Sequence, residues 1–302
     1  MKEEFLSFRR ARGLNSSTGN AWRLFALHWR AYLRFLWPHA LIAGMGAGLS
    51  WAMLYAILAE HFVPMYLLVR SGGAVADMWA LCAPDGGSWL LLAAAVVATF
   101  VAVNMFLGAL AVQMRFAEAQ EELPATGAFA FWQNIRQAAL RSALVTLPFV
   151  LTGLLFTALC LWICFRFSLW WALAFLPLYI YIGIGGLRMW LAYVAGPAAW
   201  LRSLRMALVS GWGRVGGCFL QLLITSLPVC FFSVAFALPS CFLLAAGCLD
   251  SASLLMDDVS SLPASVPWLY GLFAALGSCL SLLGVSVQLW AFRFFLGGEA
   301  RD

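Results

Sequence analysis

Apolar residues in this chain do not alternate with polar ones; they gather into six long blocks. These run over about 36–58, 88–113, 139–164, 169–195, 215–247 and 266–292. Each is long enough to cross a hydrocarbon core, which takes about 20 helical residues. A spanning backbone must satisfy its own N–H and C=O groups, so the blocks predict helices rather than strands. The fifth block is longer than a crossing needs and contains Pro228 and Pro239. Its length predicts a tilt, a kink, or an early end followed by a short re-entrant piece.

A second pattern precedes the first block. From Asn20 to Trp37 the spacing is helical, and at 100° per residue Arg23, Arg30 and Arg34 fall within about 40° of one another. Trp22, Phe25, Trp29, Tyr32, Leu33 and Leu36 take the other side. Arginines on one face and aromatic residues on the other predict a basic amphipathic helix lying in the membrane interface. Its arginines would meet anionic headgroups. Trp200–Arg214 repeats the plan before block five, with Arg202 and Arg205 set against Leu201, Leu204 and Leu208. Phe131–Arg141 repeats it more faintly before block three, with Arg136 and Arg141. Trp22 and Pro38, Trp132 and Pro148, and Trp212 and Pro228 each stand sixteen residues apart. That spacing suggests three units, each an interfacial helix followed by a helical hairpin, although the units differ in length.

Composition turns the pattern into a class. Hydrophobic residues make up 64% of the 302 positions, charged residues only 10%, and mean hydropathy is +0.90. So few charges cannot clothe a water-soluble surface, and most of the exterior must face lipid. Spans and short connections absorb nearly every residue, leaving no room for a soluble catalytic domain. The expected division is a flexible segment over 1–19, a single transmembrane domain over 20–297, and a short tail over 298–302. The first 35 residues lack a cleavage site of the signal-peptide kind, so the first span is expected to remain as an anchor.

Charge then orients the chain. Seven basic residues precede the first span, and Arg115, Arg136 and Arg141 surround the connection between spans two and three. Arg188, Arg202, Arg205 and Arg214 surround the connection between four and five, and Arg293 and Arg301 follow span six. Only Arg70 and Arg166 fall on the other side, where Glu60, Asp77, Asp85, Asp250, Asp257 and Asp258 lie. The positive-inside rule therefore places both termini in the cytoplasm. A bacterial inner membrane is the expected setting.

The run Trp22-Arg23-Leu24-Phe25 with Trp29-Arg30, entering a span and followed by repeats of the same plan, resembles a loose group of bacterial six-span proteins. These largely uncharacterised proteins are similar to the membrane domain attached to some glycerophosphodiester phosphodiesterases. The resemblance covers the whole layout and implies an all-α, polytopic transmembrane bundle. This chain carries no phosphodiesterase domain, so the resemblance implies no catalytic residue.

Chemistry-bearing residues are sparse. All 13 acidic residues lie outside the predicted spans, whereas proton-coupled carriers usually place a titratable group within the membrane. Thr99, Asn104, Gln221 and Gln288 are the main polar residues inside spans. Gly277, Ser281, Gly284 and Gln288 form one stripe on the sixth span, and Gly44 and Gly48 form a G-x-x-x-G on the first. Small residues at this spacing serve close helix contact; the alternative is a substrate groove lined by Gln288 and Gln221. The histidines His28, His39 and His61 make no metal or haem box, and Ser50 lacks a G-x-S-x-G frame. Glu118, Glu121 and Glu122 read as a solvated helix end. Asp250, Asp257 and Asp258 read as a solvated loop, or else as a weak cation site. Cys82 and Cys248 fall on the same predicted side, where they could pair in an oxidising compartment; the other cysteines read as packing residues.

No catalytic residue, cofactor, metal or nucleic-acid partner is predicted; membrane lipids and a protein complex are the expected partners. Three functional readings follow. The first is a non-enzymatic membrane subunit or scaffold contacting partner proteins or anionic lipids. The alternatives are a permease or small-molecule exporter, and a lipid-modifying enzyme using the outer acids.

Overall fold

The computed structural model describes residues 13–72, 74, 77, 82–166, 171–208, 215–254, 263 and 265–297. Their regular elements are helical. Helix α1, Leu14–Ile57, continues through a π-turn at Leu58–Phe62 into α2, Val63–Arg70. Then come α3 (Gly86–Gln120), a 3-10 turn at Ala128–Phe131, and α4 (Trp132–Arg166). The rest are α5 (Trp171–Tyr193), α6 (Trp200–Leu208), α7 (Val215–Leu254) and α8 (Val266–Leu296). Among the described residues six stretches are long and apolar enough to cross a membrane, carried by α1, α3, α4, α5, α7 and α8. The fold is thus an all-α bundle with the architecture of a multi-pass membrane protein. Leu90, Leu155 and Phe242 are each more than 70% exposed, a surface that hydrocarbon solvates and water does not.

The structure moves several expected boundaries. Residues 14–19, expected to be flexible, already belong to α1. Short polar side chains fold back there: Ser16 and Ser17 donate to the Gly13 carbonyl at 2.9 Å, and Thr18 donates to the Leu14 carbonyl at 3.1 Å. The expected interfacial helix and first span form one helix, interrupted only at His28 (φ −119°, ψ 24°). Likewise α4 absorbs both the expected helix before span three and the span itself. Helix α7 runs 40 residues without ending at its prolines, so the re-entrant alternative is not taken. A proline costs less in such a helix because its neighbours re-satisfy the freed carbonyls.

Local chemistry sets the ends of α3. Asp85 caps its start: its Oδ1 accepts from the Ser88 backbone N–H at 3.0 Å and from the Ser88 hydroxyl. At the other end Glu121 takes a left-handed conformation (φ 58°), which closes the helix and turns the chain.

Two compact units emerge. Unit 1 comprises Met1–Pro38, Asn104–Leu227 and Gly284–Asp302. Unit 2 comprises His39–Val103 and Pro228–Leu283. Helices α1, α3, α7 and α8 supply residues to both. Within unit 1 polar side chains bond across helices: Thr146 to Asn104 at 2.9 Å, the Trp190 indole to Ser142 at 3.0 Å, and Tyr32 with Ser286 at 2.6 Å. Within unit 2 the backbones themselves approach. A methyl group on Gly48 would sit 2.5 Å from the Gly271 carbonyl oxygen, and one on Gly44 2.7 Å from the Ala275 oxygen. That is the close contact small residues permit between membrane helices. Tyr55, Ala59, Val266 and Tyr270 close a cluster at the same unit's core.

Candidate functional site

In unit 1 the first half of α1 divides into three strips. Ala21, Leu24, Tyr32, Phe35 and Leu36 are buried against protein. Arg23, Arg30 and Arg34 are exposed. Between these strips stand Trp22, 38% exposed, and Trp29, 49% exposed. The expected aromatic face is therefore split, with Tyr32 and Leu36 serving the core while the two tryptophans stay outside. Arg30 lies over the Trp29 ring at 5.4 Å. Arg34 donates to the Ala125 carbonyl at 3.3 Å, tying the strip to the connection after α3.

Helix α6 shows a similar division. Ser203 and Ala207 are buried, while Arg202, Arg205 and Leu201 are exposed. Of the expected leucine face, Leu201 is exposed and Leu204 half-buried, while the small residues beside it are the fully buried ones. Trp212, Arg214, Asp257 and Asp258 lie outside the described residues, as do Met1–Arg12 and 298–302.

Two cavities adjoin in unit 1, of about 310 and 600 Å³, each with more apolar than polar lining. Arg115 of α3 and Arg141 of α4 line both. Phe116, Phe131, Asn134 and Gln137 complete the first, and Glu118 with Gly196 and Pro197 completes the second. The two guanidinium groups are held from behind. Arg115 donates to the carbonyls of Val194 and, at 3.5 Å, Gly196. Arg141 lies over the Tyr193 ring at 5.8 Å. Glu118 corrects the solvated-helix-end reading: both its carboxylate oxygens accept from Arg293 at 2.9 Å. Arg293 is almost wholly buried, and its guanidinium also donates to the Gly297 carbonyl at 3.2 Å. An acidic side chain one turn from a helix end is expected in water until the partner from α8 is known.

The residues predicted for packing or a groove are divided between the two units. Gly277 lies against Phe236, and Ser281 bonds Ser233 at 2.8 Å, both within unit 2. Gln288 donates to the Leu222 carbonyl at 3.4 Å, and Gln221 donates to Thr18 at 3.0 Å, both within unit 1. Gly284 belongs to unit 1 with Gln288. A separate groove of about 460 Å³ in unit 2 is lined by Ser233, Ser240, Ser281, Phe236 and Tyr270. Three of its serine hydroxyls are already engaged: Ser240 donates to the Phe236 carbonyl at 3.2 Å, and Ser233 pairs with Ser281. Cys82 and Cys248 are free thiols. In the sequence Arg115 stands out as a topology marker, and Arg141 as a topology marker and as part of the faint basic helix before span three. Nothing in their spacing shows that α3 and α4 bring them to one cavity.

No protein family, curated protein or solved structure matches this chain.

Proposed function

We propose that this protein is a non-enzymatic membrane subunit or scaffold that engages anionic lipid, or a partner, through an arginine-bearing surface on unit 1. The observation that carries the reading is the first half of α1, where Arg23, Arg30 and Arg34 are exposed beside the exposed Trp22 and Trp29. Tryptophan favours the headgroup level of a bilayer. Each arginine near an anionic surface contributes about 1 kcal/mol of attraction. Arg202, Arg205 and Leu201 of α6 extend the same chemistry. The bacterial inner membrane, inward-facing termini, interfacial amphipathic helices and a threefold internal repeat belong to this reading. The likeness to the six-span group named above fits it as well. The bond of Gln288 to the Leu222 carbonyl, between helices, favours it over a permease, which would need that amide for substrate.

The test is hydrogen–deuterium exchange of residues 14–37 in the full chain reconstituted in nanodiscs. Phosphatidylglycerol should slow exchange there relative to phosphatidylcholine alone, and changing Arg23, Arg30 and Arg34 together to Gln should remove the difference. Equal exchange of the unaltered protein in both lipids would defeat the lipid-engaging reading.

A further inference from the structure

Two guanidinium groups share a pair of cavities whose one acid, Glu118, acts on Arg115 but is itself ion-paired to Arg293. Among the described residues neither Arg115 nor Arg141 forms an ion pair, and Glu118, the one acid lining the second cavity, is engaged by Arg293. The four side chains together therefore leave a net charge of two positives facing open space. Two like charges on one cavity repel, and an anion between them relieves the repulsion.

The surroundings favour a particular anion. Arg115 is fixed by two backbone carbonyls on its Nη2, which leaves its Nη1 and Nε for a ligand, while Arg141 is exposed beside the Tyr193 ring with its fork open. Phe116 and Phe131, packed edge to face at 5.7 Å, give the first cavity an apolar wall that focuses the positive field. Asn134 and Gln137 add amide donors. A carboxylate fills one arginine fork, whereas a phosphate group offers oxygens to the Arg141 fork, to the remaining Arg115 N–H groups and to the amides at once. The combined space also leaves room for what the phosphate carries.

We infer that Arg115 and Arg141 form a phosphate-binding site for a phosphate mono- or diester, borne either by a lipid headgroup or by a soluble molecule. The site is separate from the arginines of α1, and the change of Arg23, Arg30 and Arg34 to Gln should leave it intact. The two proposals therefore fail separately.

The test uses the full chain, stripped of lipid in a non-ionic detergent and titrated with inorganic phosphate and with glycerol 3-phosphate by calorimetry. A parallel sample in nanodiscs containing phosphatidylglycerol is released into native mass spectrometry to count retained lipid. Arg141→Gln is the primary variant, because Arg141 is exposed and holds only a ring contact; Arg141→Lys keeps charge without the fork, and Arg70→Gln, at an exposed arginine of α2 that belongs to neither proposed site, is the control. Arg141→Gln should weaken binding about tenfold or more, with Arg141→Lys between it and the unaltered chain and Arg70→Gln unchanged, as expected for loss of one charge-assisted fork. Loss confined to the soluble probes assigns a soluble ester. Loss confined to retained phosphatidylglycerol assigns a lipid headgroup. Binding that is absent in both preparations, or that survives Arg141→Gln undiminished in both, overturns the site.

Discussion

In unit 1, much of the helix contact runs through buried polar side chains, with a tight glycine approach at Gly108; in unit 2, two glycines of α1 share the contact with side-chain bonds such as that of Ser233 with Ser281. Unit 1 buries Asn104, Ser142, Gln221, Ser286 and even the charged Arg293. Unit 2 sets Gly44 and Gly48 of α1 against α8 at distances where a single methyl collides with a backbone oxygen. Both solutions suit a bundle whose exterior is apolar, because burying more apolar surface gains nothing where lipid is equally apolar. The difference lies in what each unit tolerates. Polar contacts are costly to break and can serve recognition as well, whereas glycine contacts are purely steric and leave little room for chemistry. The proposed functional residues all fall in the first unit.

The comparison breaks most sharply at Arg293. Glu118→Ala leaves a buried guanidinium without its carboxylate, and such a loss costs about 3–5 kcal/mol. The double change Glu118→Leu with Arg293→Met should recover most of that, because an apolar pair leaves no orphan charge. Denaturation titrations in mixed micelles measure both. A double variant as unstable as the single one would show that the salt bridge is not what unit 1 depends on.

Unit 2 should fail sterically instead. Gly48→Val should cost about 1–3 kcal/mol, as overpacking does, and Gly48→Ala should cost less while still destabilising. The matched control is Gly153 in α4, where an added methyl meets nothing within 4 Å. Gly153→Ala should be neutral or slightly stabilising, since alanine suits a helix better than glycine. Equal effects at the two glycines would remove the steric account of unit 2.

These predictions also mark how far the sequence could be read. Six spans were legible because hydrocarbon demands long apolar blocks, whatever the tertiary structure. Gly44 and Gly48 were legible as a contact because helical periodicity alone puts them on one face. The Glu118–Arg293 pair was not, since its members stand 175 positions apart and only the docking of α3 with α8 joins them. Nor was the split of the α1 aromatic face: periodicity groups Tyr32 with Trp22 and Trp29, and only the packed unit takes Tyr32 inward. The convergence of Arg115 and Arg141 was hidden for the same reason. Local order was written in the pattern, and long-range partnership was not.

The smallest expected effect lies at Asp85, outside the spans, where one exposed carboxylate caps α3. The Ser88 hydroxyl and then the Ser88 backbone N–H stabilise its ionised form and hold its pKa below the ordinary carboxylate value. A depressed folded-state pKa means that the cap stabilises fully above the unfolded-state value and fades as pH falls through the folded one. Asp85→Ala should therefore lower the melting temperature slightly at neutral pH, while below the depressed pKa the two proteins should melt together. Asp85→Asn should retain part of the cap at every pH, because its amide oxygen still accepts from Ser88. A difference between Asp85→Ala and the unaltered chain that persists undiminished in acid would mean that Asp85 acts through its shape and not its charge.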